Sequence, residues 1–248
     1  MIRNETERSH SGDRSQEYKT EIESACADNV ASSKKDLRAF LSHALRLQPL
    51  SPWSLCTRKN SDRAAFAHAF DEKAWALFIA ELKSANAIGL YAPVSEWAEA
   101  QNLEKSLKTL LGKDCPKFAY PRSAKSSGNS RDMEFAICTL NQTTREGLKS
   151  RAAPAVATAV IPEIIFVPGT CMDSLGNRLG RGMGFYDRYL LKHSKARRIG
   201  TIHSRFVVEE FSNNWIEEHD QLLEVLWTET GIYQTPNFRL AKNKEQKS

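Results

Sequence analysis

The chain has no run of apolar residues near the roughly 20 that a membrane-spanning helix requires, so no bilayer span is expected. Its five cysteines (Cys26, Cys56, Cys115, Cys138 and Cys171) are odd in number and widely spaced, with no C-x-x-C pair. That pattern argues against a disulfide framework or a zinc site and for a reduced, cytoplasmic setting. Nor does one sign of charge dominate. Thirty-five Lys and Arg against 30 Asp and Glu leave a formal +5, with the two signs interspersed. So mild an excess suits anionic ligands, but nothing in the chain matches an RNA- or DNA-binding module, and no nucleic-acid partner is expected. Residues 1–32 lack an apolar h-region, and Glu5, Glu7, Asp13, Glu17, Glu21 and Glu23 make them too acidic for a transit peptide. No internal repeat is present.

What remains is a chain of 248 residues, 41% hydrophobic, that can bury a core of its own. The expected organisation is a polar, disordered or loosely docked extension over 1–32, one α/β domain over 33–233, and a polar basic tail over 234–248. Ser33 is placed to cap a helix from Lys34 to Leu47 with Leu37, Leu41, Ala44 and Leu45 on its buried face. A second helical stretch is expected over 61–84, its stripe of Phe66, Phe70, Trp75, Phe78, Ile79 and Leu82 serving the core. Ala87–Tyr91 reads as a strand, followed by a helix capped by Ser95, running from Glu96 to Leu111 and stopped by Gly112. Lys117–Pro121, Met133–Ile137, Arg198–Ile202 and Leu222–Thr228 are further strands, with an irregular Ala-rich connection over 141–160. Strands alternating with helices predict a mainly parallel sheet flanked by helices, an open three-layer Rossmann-like sandwich, with ligand sites at the carboxyl ends of its strands.

One stretch stands apart. Ile164-Ile165-Phe166-Val167 is an apolar run closed by Pro168-Gly169, as in a strand buried on both faces. Gly180, Gly182 and Gly184 then alternate with Arg181 and Met183, and Phe185-Tyr186-Asp187 opens a helix. Strand, glycine loop and helix N-terminus together make an anion site, to which Arg178 and Arg181 add charged forks. Asp187 cannot bind phosphate directly and is better explained as a Mg²⁺ ligand. For the glycines alone a tight turn that binds nothing is the lesser alternative, and the loop is neither a P-loop nor a dinucleotide fingerprint. Lys34 and Arg38, four apart, put two cations where the helix dipole disfavours them, which invites a ligand; a solvated flank is the plain alternative.

The whole string Val167-Pro168-Gly169, Met172-Asp173, Gly176, Arg178-Leu179-Gly180, Gly182, Gly184, Phe185-Tyr186-Asp187 and Leu190 resembles the signature of the 5-formyltetrahydrofolate cyclo-ligase family. Met172 and Phe185 stand where that family carries aromatic and tyrosine residues, and Lys34-Lys35-Asp36-Leu37-Arg38 is similar to its N-terminal nucleotide element. The resemblance implies an enzyme that closes 5-formyltetrahydrofolate to 5,10-methenyltetrahydrofolate with ATP and Mg²⁺, as a monomer. It implies ATP binding by Lys34, Lys35, Asp36, Leu37 and Arg38 and by the loop Arg178, Leu179, Gly180, Arg181, Gly182, Met183, Gly184, Phe185 and Tyr186. Substrate would meet Tyr91, Glu96 and the Arg181–Phe185 segment, with Arg181 and Tyr186 catalytic and Asp187 and Asp220 at the metal. From the residues alone, Glu96 is equally a helix-end charge, Tyr91 a core residue, and Asp220 part of a solvated acidic turn. A relative that binds folate or nucleotide without turning it over is the alternative reading, with Met172, Phe185 and Glu99 as the departures that favour it.

Overall fold

The computed structural model describes residues 22, 24, 33–47, 55–56, 68–91, 103–124, 132–146, 150–211 and 215–239. Ser33 caps α1 (Lys34–Leu47): the Asp36 N–H donates to its Oγ at 3.2 Å, and Leu37 and Leu41 are fully buried. There follow β1 (His68–Ala69), α2 (Glu72–Ser84), β2 (Ala87–Gly89) and α3 (Leu103–Leu111). The middle of the chain gives β3 (Lys117–Ser123), β4 (Met133–Ile137), β5 (Thr144–Glu146), β6 (Ser150–Ala152) and β7 (Ala159–Val160). The signature stretch forms β8 (Ile164–Pro168), β9 (Cys171–Asp173), β10 (Arg178–Leu179) and α4 (Phe185–Lys192). Last come β11 (Arg197–Thr201), β12 (Val207–Val208), β13 (Val225–Trp227) and β14 (Ile232–Gln234).

Nine of these strands form one sheet in the order β1-β14-β13-β11-β8-β2-β3-β4-β7. The five central strands pair in parallel and the flanking ones antiparallel. Ile164 to Val167 are all buried because β8 lies in the middle of the sheet, with a core on each face. One core holds Leu37 and Leu41 of α1 and Leu190 of α4; the other holds Phe78 and Leu82 of α2 and Leu107 of α3. The expected α/β sandwich is the architecture found. Cys56, Cys115, Cys138 and Cys171 are free thiols, and no helix among the described residues is long and apolar enough to cross a membrane.

Several local expectations shift. Within the described part of the second expected helix, α2 begins at Glu72, where Asp71 caps it by accepting the Ala74 N–H at 2.7 Å, and β1 precedes it; residues 61–67, with Phe66, lie outside the described residues. The 141–160 connection is not wholly irregular: it holds the β5–β6 hairpin and β7. The tail boundary at 234 falls inside ordered structure, since Gln234 ends β14 and Arg239 ion-pairs with the buried Glu224 at 2.6 Å. The 96–102 part of the third expected helix, with Glu96 and Glu99, lies outside the described residues.

A small second sheet, β10-β9-β12, folds the signature back on itself. Its turn depends on Gly176, which sits at φ +92°, where a Cβ would lie 2.4 Å from the Leu223 carbonyl oxygen. The Leu223 N–H donates to Gly176 O at 2.8 Å, so neither backbone can back away. Gly176→Ala is expected to lower stability by about 3 kcal/mol or more, read as a drop in Tm; an unchanged Tm would refute this packing.

Candidate active site

Three chain segments distant in sequence are joined by side-chain contacts: α1, the glycine loop with the start of α4, and the 217–220 turn. From α1, the Arg38 Nε donates to Gly180 O at 2.6 Å, while its guanidinium lies against Gly182. Gly182 sits at φ +83°, which favours glycine, and a Cβ there would make ordinary contact with the Arg38 guanidinium at 3.4 Å. From the 217–220 turn, Asp220 Oδ2 accepts the Lys34 ammonium at 2.7 Å, and Glu217 Oε1 accepts it at 3.1 Å. The last residue of the glycine loop, Gly184, is the N-cap of α4 with no side-chain cap. The first N–H groups of α4 are therefore not spent on a capping side chain, which suits an anion.

Asp187, in the first turn of α4, accepts Arg178 Nη2 at 2.5 Å and the Gln221 N–H at 3.3 Å. Arg178 is only 6% exposed, and its guanidinium lies 5.9 Å from the centre of the Tyr186 ring. This arginine is thus engaged inside the protein, orienting Asp187 and Tyr186. Burial drives the Tyr186 pKa well above that of an ordinary phenol; nearby Tyr91 adds to the rise, and Arg178 and Arg181 oppose it. Tyr186 therefore keeps its proton and can donate a hydrogen bond, but not act as a base. Tyr91, just beyond β2, is buried and shares a 2.7 Å hydrogen bond with Thr201 at the end of β11.

Asp220 is pushed up by burial, but the hydrogen bonds from Lys34 and the Glu217 backbone, with the charges of Lys34 and His219, outweigh this and hold it below its usual pKa. A depressed carboxylate stabilises the fold above its unfolded pKa, near 4, and that contribution is lost as pH falls through the lower folded value.

A family model described as the 5-formyltetrahydrofolate cyclo-ligase family matches residues 30–229. The chain belongs to that family. Its enzyme class is accordingly that of a 5-formyltetrahydrofolate cyclo-ligase. Among solved structures, it is similar to an NMR structure of the Aquifex aeolicus 5,10-methenyltetrahydrofolate synthetase, at 19% identity and TM-score 0.49, covering 94% of this chain and 99% of that one. It is also similar to the Mycoplasma pneumoniae 5,10-methenyltetrahydrofolate synthetase, at 17% identity and TM-score 0.41, covering 62% and 82%. Family membership rests on the 30–229 match alone.

For this cyclo-ligase-family chain, the structure sorts the residues singled out by sequence. Lys34, Arg38, Gly180, Gly182, Asp187 and Asp220 come together as described. Leu37 and Leu179 are buried in the core, so only their backbones can reach a ligand. Lys35 and Asp36 are exposed, and Asp36 Oδ2 accepts the Ser33 hydroxyl at 2.7 Å. Arg181 and Met183 are exposed on the loop, and the Phe185 ring packs 5.6 Å from the Arg188 guanidinium. Glu96 lies outside the described residues.

The Mg²⁺ expected at Asp187 and Asp220 can be tested against this geometry. Asp187 is bonded to the N–H of Gln221, the residue after Asp220. Each carboxylate is neutralised by a cation, Arg178 or Lys34. No group of three or more His, Cys, Asp or Glu that could hold a metal occurs among the described residues. Mg²⁺ commonly takes one or two carboxylates and completes its shell with phosphates and water, so two carboxylates are enough in number for such an ion.

Sequence reading gave Asp173 no role beyond its match to the signature. It is fully buried, accepting from the N–H groups of Leu175, Asn177 and Phe211 and from Asn177 Nδ2. Aspartate followed by a turn with Gly176 was the available signal.

Proposed function

We propose that the protein couples ATP hydrolysis to closure of 5-formyltetrahydrofolate into 5,10-methenyltetrahydrofolate, releasing ADP and phosphate. Family membership supplies the chemistry. The observation that supports its ATP-dependent form is the Arg38 bridge, which brings this N-terminal cation onto the glycine loop that opens α4. In this reading the N5-formyl oxygen takes the γ-phosphoryl group, N10 attacks the activated carbon, and the C–O bond to phosphate breaks. The N10 proton leaves to water or phosphate.

The protein's contribution is positioning and charge. Lys34, Arg38 and the uncapped N–H groups of α4 hold the triphosphate, with Arg181 on the exposed side of the loop. Asp187 and Asp220 would hold Mg²⁺, which when bound neutralises charge developing on the phosphates. Arg178 keeps Asp187 in place, and Tyr186, which keeps its proton, donates from its hydroxyl. Tyr91 and Glu96 are proposed to orient the folate, in a monomeric cytoplasmic enzyme.

Absorbance of the methenyl product tests this directly. Protein mixed with 5-formyltetrahydrofolate and Mg²⁺ should show an ATP-dependent rise; binding of folate without any rise would favour the relative that has lost turnover. Asp187→Asn should abolish most of that rise while costing less stability than Asp187→Ala. Alanine strips the buried Arg178 of its carboxylate, at about 3–5 kcal/mol, whereas asparagine keeps an acceptor. Near-normal turnover of the asparagine variant would remove Asp187 from the site.

A further inference from the structure

We propose that Glu217 is an internal competitor for polyphosphate: it occupies one of the Lys34 ammonium donors and competes with nucleotide for that charge. The inference deepens the nucleotide reading above and rests on it. The lysine ammonium offers three donors and no acceptor. Here one goes to Asp220 Oδ2 at 2.7 Å and one to Glu217 Oε1 at 3.1 Å.

The two acidic partners are not equivalent. Asp220 is 23% exposed, and its Oδ2 is fixed by the Glu217 N–H at 3.0 Å as well as by Lys34. Glu217 is 53% exposed, its other carboxylate oxygen 3.3 Å from His219 Nε2. One carboxylate is built into the turn; the other reaches Lys34 from the surface through a flexible side chain. Both also act electrostatically on Arg38, the second cation of the site. A triphosphate arriving at Lys34, Arg38 and the α4 N-terminus therefore meets a negative charge already seated on its first contact. Like charges cannot share that ammonium without cost, and the exposed glutamate is the one that can swing away.

A pair this exposed is worth little, so the effect is bounded. Removing the Glu217 charge should tighten polyphosphate binding about two- to fivefold. Glu218, on the same turn, is exposed and does not ion-pair with Lys34, so it reports the general loss of a negative charge.

The test is calorimetric titration of ATP into the full chain, with Mg²⁺ and again in EDTA, for wild type, Glu217→Gln and Glu218→Gln. The expected result is tighter ATP binding by Glu217→Gln, present in EDTA, with Glu218→Gln close to wild type. Equal or weaker binding by Glu217→Gln, or an equal gain in Glu218→Gln, would overturn the competitor role. Failure of the wild-type chain to bind ATP in either buffer would instead sink the nucleotide reading itself.

Discussion

Arg38→Ala is expected to lower ATP-dependent turnover by about 10²–10³-fold, the usual scale for losing one preorganised charge donor. The residue does two things at once. Its Nε holds the glycine loop through Gly180 O at 2.6 Å, and its guanidinium lies beside Gly182, where a triphosphate is proposed to bind. Stability should change little, because Arg38 is only half-buried and the core of α1 is made by Leu37 and Leu41. Arg38→Lys discriminates further. A lysine restores the charge but cannot hold the carbonyl and present a planar fork together, so it should recover only part of the activity. Steady-state kinetics beside a thermal melt check both points; full activity in Arg38→Lys would reduce the residue to a point charge.

Asp173→Ala should lower stability by about 3–5 kcal/mol, or give no folded protein at all. The carboxylate is completely buried and satisfies three backbone N–H groups and the Asn177 amide. Each orphaned buried donor costs about 1–3 kcal/mol, and the methyl group of alanine offers none of them a partner. Asp173→Asn retains one acceptor oxygen and should fall between the two. Chemical denaturation measures this, and a small shift for the alanine variant would mean that water replaces the carboxylate. Because Asp173 ties the 173–177 turn to Phe211, its loss should disturb the small sheet that carries Arg178.

Features set by neighbours in sequence were legible from it. The β8 strand followed from its apolar run, α1 from the Ser33 cap and its buried stripe, and α4 from the glycines before Phe185. Where two local signals competed, the reading slipped. Residues 61–84 carry one aromatic stripe, and only the Asp71 side chain bonded to Ala74 N shows that α2 starts afterwards. The edge strand β1 and its neighbour β14 are two and three residues long, too short for a two-residue period to be recognised; β1 is a strand because it pairs with β14, and β14 because it pairs with β1 and β13.

The candidate site divides in the same way. The sequence by itself determined the family, the glycine loop at the head of a helix, and which cations and carboxylates are available, since spacing and side-chain chemistry suffice for these. Only the tertiary structure decided their partners. Arg178 and Asp187 are nine residues apart, across a loop that no helical or strand period spans, yet they form one buried pair. Lys34 meets Asp220 across 186 positions of chain. Such contacts depend on where the parallel sheet delivers its strand ends, and that placement comes from burying apolar faces on both sides of β8 rather than from the charged residues themselves.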